Sequence, residues 1–231
     1  IIVGQYNGKE ALAAIGAAGP IMNILIFLIV GLSLGASILM SEYFGAKDYK
    51  ALKTEMATSL VSGFILTIVL SLLAFTGSGL FIRMTRTPLE IAPMASQYLK
   101  IISLGLIFTF FYNILSAGLR SIGDSRAPLY VLCLTTILHV LLAVYMVGTL
   151  HMGVQGAAYA TVISQAVSSL MLFIYIKVKV PYLRLSLPEL HIDMDFLKKT
   201  VDFSSISALQ QTVLYIGRLL VQSGINTLGV D

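Results

Sequence analysis

The sequence contains four long stretches without a single Asp, Glu, Lys or Arg, and this constrains the fold more than any other feature. A helix needs about 20 predominantly apolar residues to cross the hydrocarbon core of a bilayer. Three of the stretches hold one such helix each, and the fourth holds two, divided by a glycine-marked turn at 148–156. The stretches are 11–41, 56–82, 101–119 and 127–176. A further apolar segment begins at about Phe203 and is interrupted by Arg218.

The composition excludes a soluble globular protein. Of the 231 residues, 57% are hydrophobic and 11% are charged, and the mean hydropathy is +0.90. Soluble domains carry roughly 25% charged residues. Backbone groups in hydrocarbon must be paired internally, and the stretches show no alternation of period two, so we predict helices. The predicted fold class is an all-α, polytopic membrane helix bundle.

Lysine and arginine fall unequally on the two sides of this predicted bundle. If the spans alternate in direction, ten of these residues lie on one side and four on the other. Cytoplasmic loops are richer in Lys and Arg, so the side with ten is predicted to face the cytoplasm. The ten are Lys47, Lys50, Lys53, Arg120, Arg126, Lys177, Lys179, Arg184, Lys198 and Lys199, and the four are Lys9, Arg83, Arg86 and Lys100. The net charge of +4 is therefore a topological signal, and it predicts no nucleic-acid partner.

Few residues suit catalysis or metal binding. Cys133 is the only cysteine, so the chain has no internal disulfide and no cysteine-based metal site. The three histidines lie on separate predicted elements, with no histidine–carboxylate metal spacing and no nucleophile motif. We therefore predict a protein that is not an enzyme and that holds no metal or cofactor.

Polar residues inside two of the spans form stripes at helical spacing. An unpartnered polar group in lipid costs several kcal/mol, so we expect both stripes to face the interior of the bundle. One stripe is Thr135, Thr136, His139 and Ala143, and the other is Ala157, Thr161, Ser164, Gln165 and Ser168. An ionisable residue such as His139 within a span is a functional hypothesis by default.

Four spaced segments resemble the multidrug and toxic compound extrusion (MATE) family. They are VGQYNGKEALAAIGAAGPIMNI (3–24), GLSLGASILMSEYFGAKDYKAL (31–52), YLKIISLGLIFTFFYNILSAGLRSIGDSRAPL (98–129) and MGVQGAAYATVISQAVSSL (152–170). The resemblance implies a twelve-helix transporter built from two pseudo-symmetric six-helix lobes with a cavity between them. This chain would supply the N-terminal lobe without most of helix one, plus helix seven.

The predicted domain boundaries follow from this resemblance and from the two ends of the chain. The pair Gly8 and Glu10 near the start is matched by Gly229 and Asp231 at the end, as expected if a helical repeat begins again. We expect a transmembrane lobe at 1–180, a cytoplasmic linker with a short amphipathic helix at 181–202, and the first helix of a second lobe at 203–231. Within the lobe, the expected helices are 1–8 (the end of helix one), 12–41, 56–82, 96–119, 127–148 and 156–176.

The resemblance also implies where ion coupling occurs. In many MATE proteins the fifth helix carries an asparagine and, four residues later, an aspartate, which act with a helix-one aspartate and a helix-six threonine. Here His139 replaces the asparagine, Ala143 replaces the aspartate and Thr161 is retained, while the helix-one aspartate would precede Ile1. Without the carboxylate, protons are preferred over sodium as the coupling ion. The alternative is a neutral His139 that is hydrogen-bonded to Thr135, Thr161 or Gln165.

Two further groups of residues are candidates for function. Large polar and aromatic side chains on the spans are candidates for the substrate cavity, with packing as the alternative: Tyr112, Asn113, Tyr145, Tyr159 and Gln165. The loop at Arg120, Asp124 and Arg126 is a candidate conformational gate. Alternatively, Asp124 caps the next helix or pairs with one of the arginines.

The function implied is secondary active export of amphipathic, often cationic, drugs or toxic compounds from a cell, across its membrane, in exchange for protons or sodium. The expected partners are these substrates, the lipid bilayer and a second lobe of the same polypeptide. One alternative is a flippase for lipid-linked saccharides, which would need arginine and lysine in its cavity to hold pyrophosphate. Another is a truncated relative that does not transport, in which case the reading frame would not extend beyond both ends.

Overall fold

The computed structural model describes the backbone of residues 2–85 and 87–228, and this part of the chain forms six long helices. Side chains are described through Ser207, except at Ile2, Asn7 and Arg86, and beyond it at Leu209, Gln210, Val213 and Gly217. The helices are α1 (Ile2–Gly45), α2 (Tyr49–Met84), α3 (Ala92–Ser121), α4 (Arg126–Ala143), α5 (Gly153–Lys179) and α6 (Met194–Leu228). The described residues include no strand, which confirms the predicted all-α class.

Five of the helices are long and apolar enough to cross a membrane. They are α1 from Gly8 onward, α2, α3, α4 together with the π-helical turn Val144–Thr149 that continues it, and α5. Their outer faces carry large exposed apolar side chains such as Leu72, Leu80 and Leu141, as expected where lipid replaces water. Within α1 the backbone is not helical at Gly8, whose φ is 81° and ψ is −177°, a conformation that suits glycine. This kink separates residues 2–7 from the span that follows, at the place where the end of helix one was expected.

Helix α3 lies at the centre of the bundle and packs against α1, α2 and α5. Its side chains Leu99, Leu106, Phe110 and Ile114 are almost completely buried. Buried hydroxyl groups either bond within their own helix or join helices. Ser71 Oγ on α2, for example, donates to a backbone carbonyl of α3 at 2.7 Å. These bonds satisfy polar groups that hydrocarbon would otherwise leave unpaired.

Three connections meet at one end of the bundle: those between α1 and α2, between α3 and α4, and between α5 and α6. Aromatic rings that flank the first connection form a cluster with a ring of the third. Its ring centroids lie 6.0 Å apart for Phe44–Tyr49 and for Phe44–Tyr182, and 4.6 Å apart for Tyr49–Tyr182. Nearby, Lys53 Nζ lies 3.3 Å from Glu189 Oε1. We call this end the connected end. It carries the ten lysines and arginines predicted to face the cytoplasm.

The end of the chain differs from expectation in one respect. Residues 181–202 were expected to contain a short separate helix, with a new span starting at Phe203. Instead, one continuous helix, α6, runs from Met194 to Leu228. Asp193 Oδ1 caps its start by accepting from two backbone N–H groups, at 3.0 and 3.3 Å, and no glycine or proline occurs between 194 and 216 to interrupt it. The side chain of Arg218 lies outside the described residues.

Candidate functional site

A polar cavity of about 170 Å³ lies between α3, α4 and α5, in the part of the bundle built from the predicted polar stripes. Helix α4 contributes one wall, α5 contributes the other, and Tyr112 of α3 closes one side. The lining residues are Tyr112, Leu132, Thr135, Thr136, His139, Thr161, Ser164, Gln165 and Ser168. Among the described residues that line it, none carries a carboxylate.

His139 and Thr161 meet across this cavity. His139 Nε2 lies 3.2 Å from Thr161 Oγ1. Thr161 has a single hydroxyl proton, and Oγ1 also lies 3.0 Å from the carbonyl oxygen of Ala157, one turn back on α5. While Thr161 donates to that carbonyl, its oxygen only accepts, so His139 Nε2 carries a proton. In this arrangement the other ring nitrogen, Nδ1, is the atom free to take up a further proton.

Four more hydroxyls on the cavity wall donate to carbonyls of their own helices. The distances are 2.8 Å for Thr135, 2.7 Å for Thr136, 2.7 Å for Ser164 and 2.8 Å for Ser168. Each oxygen therefore turns lone pairs, rather than its proton, toward the cavity. The wall is rich in acceptors, and it suits a guest that donates hydrogen bonds or carries positive charge.

Gln165 adds an unsatisfied acceptor to this wall. Its Oε1 atom is buried and has no hydrogen-bond partner among the described residues. A buried polar atom without a partner costs about 1–3 kcal/mol, so a bound water or a ligand donor at this point would be favoured.

The other predicted site residues lie elsewhere. Asn113 is half-buried, and its Nδ2 donates to the carbonyl oxygen of Thr109 at 2.8 Å. Tyr145 and Tyr159 are 53% and 40% exposed and do not line this cavity. Ala143 is buried one turn beyond His139, at the end of α4.

Asp124, in the candidate gate loop, holds two helices together. Its Oδ1 atom accepts from the backbone N–H of Ala127 at 3.1 Å, which caps the first turn of α4. Its Oδ2 atom accepts from the Tyr175 hydroxyl of α5 at 2.8 Å. Among the described residues, neither Arg120 nor Arg126 forms an ion pair with it. Of the alternatives for Asp124, capping is observed, and the gate role stays a prediction.

The burial of Glu55 is not predicted by the sequence, in which this charged residue marks the end of an apolar stretch. Its side chain is completely buried. Ser59 Oγ and Thr200 Oγ1 each lie 2.7 Å from its Oε1 atom. Ser59 is four residues further along α2 and therefore on the same helix face. This spacing was the local signal available in the sequence, whereas Thr200 is brought in by the fold.

The described residues contain no group of three or more His, Cys, Asp and Glu side chains arranged to hold a metal ion. The chemistry of the cavity therefore rests on one imidazole, several hydroxyls and one amide. Such a set can hydrogen-bond a guest through its hydroxyls and amide, and its imidazole is able to exchange a proton.

Comparison with known proteins identifies the family. A family model described as MatE matches residues 1–146. The chain is 31% identical to the probable multidrug resistance protein YpnP of Bacillus subtilis, over 98% of this chain and 51% of that protein. It is 32% identical to the probable multidrug resistance protein YoeA of the same organism, over 76% of this chain and 39% of that protein.

The fold is similar to a solved structure as well. The crystal structure of MATE in the bent conformation matches with a TM-score of 0.89 and 27% identity, over 99% of this chain and 51% of that chain. The chain thus spans about half the length of the relatives it matches. The five apolar helices and these relatives make it an integral, multi-pass membrane protein. The chain belongs to the MATE family.

Proposed function

We propose that the full-length protein is a secondary active antiporter of the cell membrane that exports amphipathic, often cationic, compounds in exchange for protons. Family membership supports transport, and YpnP and YoeA are both named as probable multidrug resistance proteins. In this proposal residues 1–180 belong to the N-terminal lobe, and α6 leads into a second lobe of the same polypeptide.

The observation that carries the choice of protons is the placement of His139 in an acceptor-rich cavity whose described lining residues include no carboxylate. Its contact with Thr161 is common to this proposal and to the alternative of a neutral, hydrogen-bonded histidine. Histidine is the side chain whose ordinary pKa lies nearest physiological pH. Sodium, a hard cation, is best held by several oxygens that include a carboxylate, and the described lining residues provide none. Proton uptake by His139 needs no such ligand.

The test is dye efflux by the full-length protein in reconstituted vesicles, with an imposed proton gradient or an imposed sodium gradient. We expect the proton gradient alone to drive the wild type, and His139→Asn to abolish that drive because asparagine cannot titrate. His151→Asn is the matched control. His151 is exposed and has a φ of 52°, a conformation that asparagine tolerates well, so this variant should transport normally.

Two results would contradict the proposal. Efflux driven by sodium alone, equally in wild type and His139→Asn, would make His139 a hydrogen-bonded core residue. Proton-driven efflux that survives in His139→Asn would move the coupling site to another part of the full-length protein.

A further inference from the structure

A second ionisable group lies in the interior of the bundle, far along the chain from the cavity residues. Glu55, in the second turn of α2, is completely buried. Its Oε1 atom is contacted at 2.7 Å by Ser59 Oγ on the same helix and by Thr200 Oγ1 on α6. Its Oε2 atom is buried and has no partner among the described residues. Ionisation of this carboxyl group is unfavourable here, because a buried negative charge without a full set of partners is costly.

The hydrogen bonds around Glu55 have two alternative proton arrangements. Thr200 Oγ1 also lies 2.9 Å from the carbonyl oxygen of Phe196, one turn back on α6. If Glu55 is ionised, the Thr200 hydroxyl donates its hydrogen bond to the carboxylate, and the carbonyl oxygen of Phe196 then receives no hydrogen bond from Thr200. If Glu55 is protonated, it donates to Thr200, which then donates to Phe196. In the protonated arrangement the Glu55 carboxyl and the Thr200 hydroxyl each donate a hydrogen bond, and no charge is buried.

The described charged groups around Glu55 do not form an ion pair that would compensate a buried carboxylate. Lys199 on α6 is the charged side chain that acts on the carboxyl electrostatically, and it is exposed to solvent. Lys53, on the same helix as Glu55, is ion-paired with the connection before α6. Arg120, at the end of α3, is exposed, and Tyr43 of α1 packs against the first turn of α6. Among the described residues, no lysine or arginine nitrogen lies within 4.0 Å of the Glu55 carboxyl.

Glu55 lies where α6 is attached to the rest of the bundle. Immediately before the first residue of α6, the backbone N–H of Asp193 donates to Thr58 Oγ1 of α2 at 3.1 Å. Ser204 of α6 lies against α1, and its Oγ atom is 3.4 Å from the carbonyl oxygen of Leu32. The Glu55–Thr200 contact lies between these two points along the chain and is therefore part of the attachment of α6.

We propose that Glu55 is a proton-binding site that controls the attachment of α6 to α1 and α2. With the proton bound, the Glu55–Thr200–Phe196 chain of hydrogen bonds is complete and α6 stays docked. When the proton leaves, the buried carboxylate requires water or a new donor at Oε2, and the start of α6 moves away to admit it. The further idea that this movement contributes to transport rests on the proposed function, but the proton site itself does not.

Infrared difference spectroscopy of the full-length protein between acidic and alkaline pH tests the site directly. We expect a band from a protonated carboxyl that Glu55→Gln removes. Glu42→Gln is the control, because Glu42 is an exposed carboxyl on the neighbouring helix α1, and the band should remain in this variant. A band that persists in Glu55→Gln would overturn the assignment.

Spin labels test the movement without using transport. Cysteines at the exposed positions Lys50 on α2 and Lys198 on α6 would be labelled after the native cysteines, Cys133 among them, are replaced by serine. We expect the distance between the labels to lengthen as the pH rises in the wild type and to stay short at every pH in Glu55→Gln. A distance that is independent of pH in the wild type would overturn the proposed control of α6.

Thr200→Val provides a second variant, because valine keeps the shape of threonine and removes the hydroxyl. The ionised carboxyl then loses one of its two donors. The protonated carboxyl loses its acceptor as well, so only the difference between a hydrogen bond to a charged group and a neutral hydrogen bond remains. We expect the loss of the protonated-carboxyl band to move to higher pH by about 1 unit. An unchanged midpoint would contradict the role of Thr200. If the band and the movement are found and efflux is driven by sodium, the proton site stands and the proposed antiport with protons fails.

Discussion

At the scale of single residues, Glu189 shows how a small polar motif tunes a carboxyl group at the connected end. Its Oε2 atom accepts from both the hydroxyl and the backbone N–H of Ser186, each at 2.7 Å. Its Oε1 atom lies 3.3 Å from Lys53 Nζ. The hydroxyl bond from Ser186, then the backbone bond and then Lys53 lower the pKa of Glu189 to about 2.

The sign of the resulting pH dependence is fixed by this lowered pKa. The pKa of an unfolded glutamate is about 4.3, so the stabilisation from Glu189 is fully present above that value. It is lost progressively as the pH falls from that value through about 2. Glu189 therefore contributes no change in stability between pH 5 and pH 8, and any change in that range must come from other groups.

We predict that Ser186→Ala raises the pKa of Glu189 more than Lys53→Gln does, because the hydroxyl bond has the largest effect. Carbon-13 NMR of labelled glutamate carboxyls in nanodiscs measures both values, with Glu189→Gln identifying the resonance. A larger rise in Lys53→Gln would show instead that the ion pair dominates.

The burial of individual residues was harder to predict from the sequence than their chemistry. Helical spacing placed Thr135 and His139 on one face and Thr161 and Gln165 on another, and the high cost of unpaired polar groups in lipid explains why these faces meet. Spacing within one helix carries no information about distant partners. It therefore could not show that Thr200 approaches Glu55, or that Tyr112 closes the cavity.

At the scale of helices, α1 and α6 approach each other at a glycine. A Cβ atom at Gly35 would lie 2.5 Å from the backbone nitrogen of Ser204 and 2.7 Å from its Cα atom. Both are backbone atoms, which cannot move aside as a flexible side chain does. The two helices are close here because Gly35 has no side chain.

We predict that Gly35→Ala destabilises the protein by about 1–3 kcal/mol, the usual cost of overpacking. Gly16→Ala is the matched control on the same helix. A Cβ there meets nothing within 4 Å, so this change should stabilise the helix by about 0.5–1 kcal/mol. The midpoint of thermal denaturation in detergent should thus fall for the first variant and rise for the second. Equal midpoints would show that α6 is not held against α1 at this point.

The positions of charged residues predicted the ends of the helices better than any other feature of the sequence. The turn between α1 and α2 contains Lys47 and Asp48, and the turn between α3 and α4 contains Asp124, because charged groups are costly in hydrocarbon. The π-helical turn Val144–Thr149 and the continuity of α6 were not predicted. The first has no local sequence signal. The second differs from the expected division of the chain at Phe203, where the sequence has no glycine or proline that would end a helix.

At the scale of the whole molecule, the connected end is predicted to face the cytoplasm. The helices α1, α3 and α5 end there, and α2, α4 and α6 begin there. The larger set of lysines and arginines is therefore gathered at this one end of the bundle. The contacts at this end, such as the Tyr49–Tyr182 stack and the Asp124–Tyr175 hydrogen bond, join segments that are distant in sequence.

Labelling of single cysteines tests this orientation in intact cells. Leu89, between α2 and α3, is 86% exposed, and Leu187, between α5 and α6, is 85% exposed. They form a matched pair. In a background with all native cysteines, Cys133 among them, replaced by serine, Leu89→Cys should react with a membrane-impermeant maleimide at once. Leu187→Cys should react only after the cells are permeabilised. The reverse pattern would invert the predicted topology.

Because α6 is one continuous helix, a small tilt at its start produces a large displacement at its other end. Its 35 residues extend about 52 Å at 1.5 Å per residue, which exceeds the thickness of a bilayer core. If such a rigid rod tilts by about 10° around its first turn, its far end is displaced by about 9 Å. A rearrangement no larger than one hydrogen bond near Met194 would thus become a displacement several times larger at the other end of the helix.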